Sequence, residues 1–506
     1  MAESSAADDG HLFQLAEAAK AEGNEFFKKN NHAKALIAYS RAIDLSLEED
    51  DDGLDSLDGV KPQNPSLQIY YANRAFCHLK MENHGSALLD ATKAIEVKPE
   101  FSKGWYRRGS AYMALGRPKD ALKDFTQLCK LTPQDRDARE KLKACQKQVQ
   151  HERFIAAIAC DKTKPISETV DVNSMGVESS YEGPVYKSGE VTAEFCKELM
   201  EWQRQEKSIA KKYAYQIVMD MMELLKGHST LQDIEVPEGK EITVCGDVHG
   251  QYYDLLNIWE MNGVPAEDNP YVFNGDFVDR GSFSVEVILI LFAWKLCYPK
   301  ALNLARGNHE TRSMNKLYGF EGEVTKKYDE ELYQIFCEAF CLLPLCHLIN
   351  HQVFIVHGGL FSKDGVTLDD IRKVNRVCEP PDEGLMTEML WSDPQPGNGR
   401  IPSKRGVGVA FGQDVSEDFL KTNNLKMVIR SHEMKEEGYH VEHDGRCITV
   451  FSAPNYCDQM GNKGAFIRME GKSLTPKYTS FGAVPHPNVR PMQYANPMLG
   501  QMMGMY

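Results

Sequence analysis

Along the first third of the chain, small and apolar positions recur at helical spacing, and the pattern then repeats as a block. The step from Ala75 to Gly109 recurs from Ala87 to Ala121, from Ala91 to Phe125 and from Pro99 to Pro133. That common offset is the period of about 34 residues typical of stacked helical hairpins. An earlier block fits the same template through Gly23, Phe26, Ala35, Tyr39 and Ala42. The step from Gly23 to Ala75 is longer than the common offset, so an insertion separates the first two blocks. It falls in a surface segment over 48–65, which holds Pro62, Pro65 and the acidic run Glu48, Glu49, Asp50, Asp51, Asp52, Asp55 and Asp58. Three helical hairpins in register reach the minimum for a stacked solenoid. A further helix over about Asp135–Ala157 covers its last apolar edge. Periodicity lapses over 161–190, where Pro165, Ser180, Gly183 and Pro184 mark a linker. Beyond it, short apolar runs alternate with helical stretches, the pattern of an α/β domain.

Six of those apolar runs end directly in polar residues. Ile242–Cys245 leads into Gly246-Asp247-Val248-His249-Gly250, and Tyr271–Asn274 into Gly275-Asp276-Phe277-Val278-Asp279-Arg280-Gly281. Leu302–Ala305 leads to Arg306-Gly307-Asn308-His309-Glu310, and Val353–Val356 to His357-Gly358-Gly359. Met427–Ile429 leads to Arg430-Ser431-His432-Glu433, and Ile448–Phe451 to Ser452-Ala453-Pro454-Asn455-Tyr456. One Gly-Asp pair is ordinarily a turn. Six such junctions converge on a cleft outside the carboxyl ends of strands, where open α/β sheets bind ligands. Asp247, His249, Asp276, Asn308, His357 and His432 exceed the needs of one tetrahedral site and suit two neighbouring ions. Oxygen and imidazole donors without thiolate point to Mn, Fe or Zn.

Composition narrows the function. Lys+Arg 58 against Asp+Glu 73 leaves a net charge of −15, which argues against nucleic-acid and polybasic membrane contacts. The 13 cysteines form no Cys-x-x-Cys pair, so they read as reduced thiols, Cys337, Cys341 and Cys346 among them. The longest apolar run, Val287–Trp294, is far short of the ~20 residues a bilayer span needs. With no signal peptide at the first residues, an intracellular protein is expected, cytoplasmic with the nucleus also open to it. No Cys-x5-Arg loop is present, which excludes the cysteine-phosphatase route.

The repeated units resemble the tetratricopeptide repeat. Lys20 and Asn24, then Asn73, then Lys103 and Arg107 fall on the first helices of successive units, and residues one helical turn apart share a face. They match the carboxylate-clamp type of that repeat, which implies binding of heat-shock chaperone C-terminal tails. The signatures at 246–250, 275–281, 307–310 and 357–359 resemble the phosphoprotein phosphatase family of Ser/Thr phosphatases, intact and in that family's order. The resemblance implies an α+β multidomain chain: an all-α tetratricopeptide solenoid, then a metallophosphoesterase-type α/β domain with a central β-sandwich. The boundaries expected are a flexible tail over 1–13, repeats over 14–160, linker over 161–190, catalytic domain over 191–484 and a C-terminal regulatory segment over 485–506.

The resemblance also implies roles, residue by residue. Asp247 and His249 would hold a first divalent ion, Asn308, His357 and His432 a second, and Asp276 would bridge them. Mn²⁺ is expected to serve in vitro, and Fe/Zn or Mn in the cell. Arg280 and Arg405 grip phosphate, with Asn308 and Tyr456 also contacting substrate. His309 is the general acid and Asp279 orients it. The implied reaction is one-step hydrolysis of phosphoserine or phosphothreonine by a metal-bridging hydroxide. The resemblance further implies that the repeats cover the cleft until chaperone tails or a lipid activator release it, with Glu82 the candidate to occupy Arg280. The rival reading, a catalytically silent chaperone-binding scaffold, requires a missing ligand, and none is missing.

Overall fold

A computed structural model describes residues 2–47, 64–158 and 164–495. Most of the acidic insertion, residues 48–63, lies outside the described residues, as does the end of the C-terminal segment from 496 onward. The chain divides into a helical unit, reaching to Lys162 and including Ser403–Gly406, and an α/β unit of Thr163–Pro402 and Val407–Asn496.

The helical unit comprises α1 (Ala2–Lys28), α2 (His32–Asp44), α3 (Leu67–Lys80), α4 (His84–Val97), α5 (Ser102–Ala114), α6 (Pro118–Leu131) and α7 (Arg136–Ile158). The first and third hairpins share one register. A Cβ on Gly23 would lie 2.6 Å from the Tyr39 ring, and one on Gly109 2.9 Å from the Phe125 ring. In these two a small residue on the first helix makes room for an aromatic at a fixed later position on the second, while the middle hairpin has Ala75 and Ala91 at those positions. Hairpins two and three are further locked by a repeated fork: Arg74 and Arg108 each donate twice, at 2.8–2.9 Å, to Asp90 and Asp124. The two arginines keep the same offset as Ala75 and Gly109, so the repeat is written in its polar contacts as well as in its core.

The flexible tail expected over 1–13 is instead part of α1 from Ala2 onward. Ala2, Ala6 and Ala7 are strong helix formers, and they extend the helix back from its first packed turns. The expected linker also needs correction over its described part. Ile166–Thr169 forms a helical turn, and Ile166 N and Ser167 Oγ both donate to Glu338. Val172 and Tyr186 are buried in the α/β core, with Tyr186 Oη donating to Asp220 at 2.7 Å. Prolines and glycines signalled a break in periodicity, but the few apolar side chains among them suffice to dock the segment.

In chain order the strands are β1 (Leu231–Ile234), β2 (Glu241–Cys245), β3 (Tyr271–Phe273), β4 (Leu302–Leu304), β5 (Cys346–Ile349), β6 (Val353–Val356), β7 (Asp393–Pro394) and β8 (Arg400–Pro402). They continue with β9 (Val409–Phe411), β10 (Met427–Arg430), β11 (Tyr439–Glu442), β12 (Cys447–Val450), β13 (Gly464–Glu470) and β14 (Lys477–Phe481). One sheet runs β14-β13-β2-β3-β4 and another β1-β5-β6-β10-β12-β11, while β7, β9 and β8 form a small third sheet. Strand alternation explains how the two large sheets pack. Ile242, Val244, Val272 and Ile467 from one sheet form a single core with Val353, Ile355, Ile429, Ile448 and Val450 from the other. The intervening residues face outward: Cys245, Tyr271 and Phe273 into a helix-covered core, Phe354, Val356 and Val428 into another. The result is a β-sandwich clad in helices. The cleft therefore does not belong to one open sheet. β2, β3 and β4 are mutually parallel, as are β6, β10 and β12, and the six polar junctions leave the carboxyl ends of these two triplets.

The helix Ser284–Cys297 shows how fully the apolar core is used, because even its Lys295 is only 2% exposed. Its ammonium donates to Pro299 O at 2.6 Å, and burial pushes Lys295 down to about 7. The unfolded chain holds that proton up to ~10.4. Stability therefore falls as pH drops from ~10 towards 7 and levels off below, since the unfolded state binds the extra proton across that window. Lys295→Met should raise stability at pH 7 by roughly 1–3 kcal/mol, with a smaller gain near pH 10. Thermal melts at the two pH values measure it, and an equal or lower melting temperature at pH 7 would contradict it.

Candidate active site

Five loops, after β2, β3, β4, β6 and β10, deliver the six expected ligands, and several residues in them have reversed backbone. His249 (φ 47°), Asp276 (φ 52°), Asp279 and Arg280 (both φ 70°) and His432 (φ 68°) occupy the left-handed region, uncommon for residues other than glycine. Such conformations cost ~1–3 kcal/mol each and persist where surrounding contacts over-determine them. Glycines provide the clearance. A Cβ on Gly307 would lie 2.2 Å from Asp276 Oδ1, and one on Gly281 2.3 Å from His249 O.

The side chains so placed form two groups sharing one carboxylate. His249, Asp276 and His309 each offer a donor atom within 4.8 Å of the others, as do Asp276, His357 and His432. His249 Nε2 lies 3.5 Å from Asp276 Oδ2 and 3.8 Å from Asp247 Oδ2. His357 Nε2 lies 3.3 Å from Asp276 Oδ2, 2.9 Å from Asn308 Oδ1 and 3.2 Å from His432 Nδ1. All six expected ligands are thus brought together, and all are buried.

The donor set suits divalent ions. His249 Nδ1 faces Val278 O at 3.0 Å and His357 Nδ1 faces Asn274 O at 2.7 Å, which leaves each Nε2 lone pair turned to the carboxylates. Burial, with Asp276 alongside, pushes Asp247 up to about 7. Burial also holds His249 well below its ordinary value and lowers His357, so both imidazoles are neutral, as ligands must be. Two buried carboxylates beside neutral imidazoles form a site short of positive charge.

Beside this cluster, His309 Nδ1 stands 2.9 Å from Asp279 Oδ2, and the His309 ring lies edge-on to His249 with centroids 4.7 Å apart. Asp279 is fully buried and pushed up to about 7 by burial, while Phe320 N (2.9 Å) and Asn315 Nδ2 (3.1 Å) donate to it. Distance alone also lets the His309 imidazole act as a ligand beside His249 and Asp276, so its behaviour on substitution separates the two roles. The Arg280 guanidinium lies 3.6 Å above the Tyr318 ring, and its backbone is held by Tyr318 O and Met492 N. Tyr456 begins a single helical turn with its ring 5.1 Å from that of His249. Arg405 falls in the Ser403–Gly406 stretch that groups with the helical unit, and its expected role rests on the family resemblance alone. Asn315, Tyr318 and Glu310 were not singled out from sequence. Glu310 stood inside a quoted motif, but neither spacing nor charge marks it as different from any surface glutamate.

In the helical unit, Asn24 Oδ1 accepts from Tyr39 Oη at 2.8 Å and from Asn73 Nδ2 at 3.5 Å, joining two expected clamp residues across hairpins. Lys20 pairs with Glu17. Arg107 stacks 3.5 Å over Phe76 and is held down to about 10 by burial, whereas Lys103 is exposed. Glu82 occupies the left-handed turn between α3 and α4 (φ 59°). The thiols are free among the described residues, and no helix there is long and apolar enough to cross a membrane.

Comparison with known proteins agrees with this architecture. Residues 240–436 match the calcineurin-like phosphoesterase family, 142–233 the PPP5 TPR repeat region and 102–135 the tetratricopeptide repeat. The chain is 52% identical over 492 residues to human serine/threonine-protein phosphatase 5, covering 97% of this chain and 95% of the relative. It is 50% identical to the Arabidopsis thaliana protein of the same name, covering 96% and 97%. A solved protein serine/threonine phosphatase from Saccharomyces cerevisiae, described as similar to human phosphatase PP5, superposes with a TM-score of 0.56 at 41% identity. That match covers 57% of this chain and 95% of the yeast one.

Proposed function

Because the chain belongs to the serine/threonine-protein phosphatase 5 family, we propose that it hydrolyses phosphoserine and phosphothreonine in one step at the Asp276-centred cluster, under control of its own repeats. The observation that carries this reading is the shared carboxylate: Asp276 stands within ligating distance of both histidine groups, beside the His309–Asp279 pair. Asp247 and His249 would hold one divalent ion, and Asn308, His357 and His432 the other. When bound, the two ions would supply Lewis acidity and an activated water.

The chain's own residues do the rest. Arg280, stacked on Tyr318, holds phosphate oxygens with a planar fork that matches them. Arg405, Asn308 and Tyr456 complete the grip. His309 Nε2 gives its proton to the departing serine or threonine oxygen. Asp279, fixed by Phe320 N and Asn315 Nδ2, keeps the imidazole turned so that Nε2 faces outward.

For the repeats, we infer a clamp for the C-terminal carboxylate of a heat-shock chaperone tail. The Asn24–Asn73 contact and the preset Arg107 stack support it, together with Lys20 and Lys103 at matching repeat positions. Such a tail brings chaperone-bound phosphoproteins to the enzyme at raised effective concentration. It also competes with suppression by the repeats, in which Glu82 takes the place of phosphate at Arg280; a lipid is a second route to release.

Initial rates on a phosphoserine peptide with Mn²⁺ test this reading, comparing the full chain with a fragment that begins at Lys164. That start keeps the Ile166, Val172 and Tyr186 packing, which a shorter fragment would lose. A fragment at least several-fold faster is the expected result. Equal, high rates would retain the enzyme and remove suppression, and no rate in either would overturn both.

A further inference from the structure

Glu310 follows the expected general acid and is completely buried. Its Oε2 accepts Asp276 N and Gly307 N, each at 2.8 Å, and its Oε1 accepts Phe277 N at 2.8 Å. Those three amides belong to two separate loops, one after β3 carrying Asp276 and Asp279, the other after β4 carrying Asn308 and His309. The backbone of Glu310 is anchored in turn, because the buried Arg306 donates Nε to its carbonyl at 3.0 Å. His309 N adds a second tie between the loops by donating to Asp276 Oδ1 at 2.9 Å.

The physical need for such a brace lies in Asp276. Its backbone is left-handed, preceded by Gly275 at φ 88°, and its carboxylate sits beside that of Asp247 in a buried setting. Strain and like-charge repulsion both favour letting this loop relax when no cation is present. Among the described contacts, Glu310 holds the amides on either side of the Asp276 carbonyl carbon and the amide that opens the Asn308 loop. We propose that Glu310 is a positioning residue for the metal centre, clamping the two loops so that Asp276 and Asn308 stand at ligating separation before an ion arrives. The proposal rests on the two-metal reading above and adds a residue that touches neither substrate nor ion.

The test is a calorimetric Mn²⁺ titration of metal-stripped full chain, paired with the Mn²⁺ concentration that half-activates phosphopeptide hydrolysis. Glu310→Gln keeps the shape but leaves one accepting atom and turns an N–H towards a backbone donor. Its Mn²⁺ affinity should fall ~10–100-fold, the range for partners that orient metal ligands, and half-activation should shift by the same factor. At saturating Mn²⁺, kcat should return to within a few-fold of wild type. Glu470→Gln is the control. Glu470 also accepts three backbone amides, Gly239, Lys472 and Ser473 at 2.8–3.0 Å, but braces neither metal loop, so its Mn²⁺ affinity should be unchanged. If Glu310→Gln is too unstable to titrate, Glu310→Asp, which keeps charge and loses reach, is held to the same criterion. Wild-type affinity in the Glu310 variant, or an equal loss in Glu470→Gln, overturns the proposal while leaving the two-metal reading intact. A wild-type chain that takes up no Mn²⁺ overturns both.

Discussion

His309→Asn should lower kcat on a phosphoserine peptide by roughly 10²–10⁴-fold, the usual worth of a positioned general acid. The loss should be far smaller on an aryl phosphate, whose leaving group departs as a stable phenolate without needing a proton. That contrast distinguishes a proton donor from a ligand, since losing a ligand slows both substrates alike. Manganese affinity should be nearly unchanged, because the hydrogen bond that His309 N donates to Asp276 Oδ1 is a backbone one, which asparagine retains. The imidazole itself is engaged by Asp279 at 2.9 Å, and Asp279 is held by Asn315 and Phe320. Parallel losses on both substrates with weakened metal binding would place His309 among the ligands instead.

Asp276→Asn should be the most damaging single change, with hydrolysis falling to the background of the assay. Asp276 is the one residue common to both histidine groups, so its neutralisation removes an anionic donor from each. The variant should fold. Asparagine tolerates the left-handed backbone at 276 as aspartate does, and its carbonyl can still accept His309 N. It also removes a buried charge that repels Asp247. Metal-free Asp276→Asn should therefore melt at or above the temperature of metal-free wild type, while the stabilisation that Mn²⁺ confers on wild type should largely vanish. A metal-free variant that melts several degrees lower, or one that keeps the full Mn²⁺ stabilisation, would contradict the bridging role.

What was readable in the chain, and what was not, follows from the range of the interactions involved. The hairpin register was legible because Gly23 and Tyr39, or Gly109 and Phe125, repeat a local size complementarity at fixed spacing. Six polar junctions were legible because each apolar strand stops where its ligand begins. That three junctions come from each of two sheets was not legible, since β2 pairs with β13, a strand near the far end of the chain, and no local pattern records it. The reversed backbone at His249, Asp279, Arg280 and His432 was likewise hidden, because it is imposed by tertiary contacts and not by the residues' own preferences. Glu310 shows the same limit: three amide donors from two loops meet it only after folding. The segment 164–190 erred in the other direction. Its prolines and glycines are genuine breaks, yet Val172 and Tyr186 were enough to fix it to the α/β core.

The most direct measurement is the initial rate of phosphoserine-peptide hydrolysis by the metal-stripped full chain as Mn²⁺ is titrated back, with bound metal counted in the same samples. Hydrolysis absent without metal, and rising to its plateau as about two ions bind per chain, is the expected result. Hydrolysis that persists after stripping, or two ions bound with no hydrolysis by either the full chain or the Lys164 fragment, would contradict it.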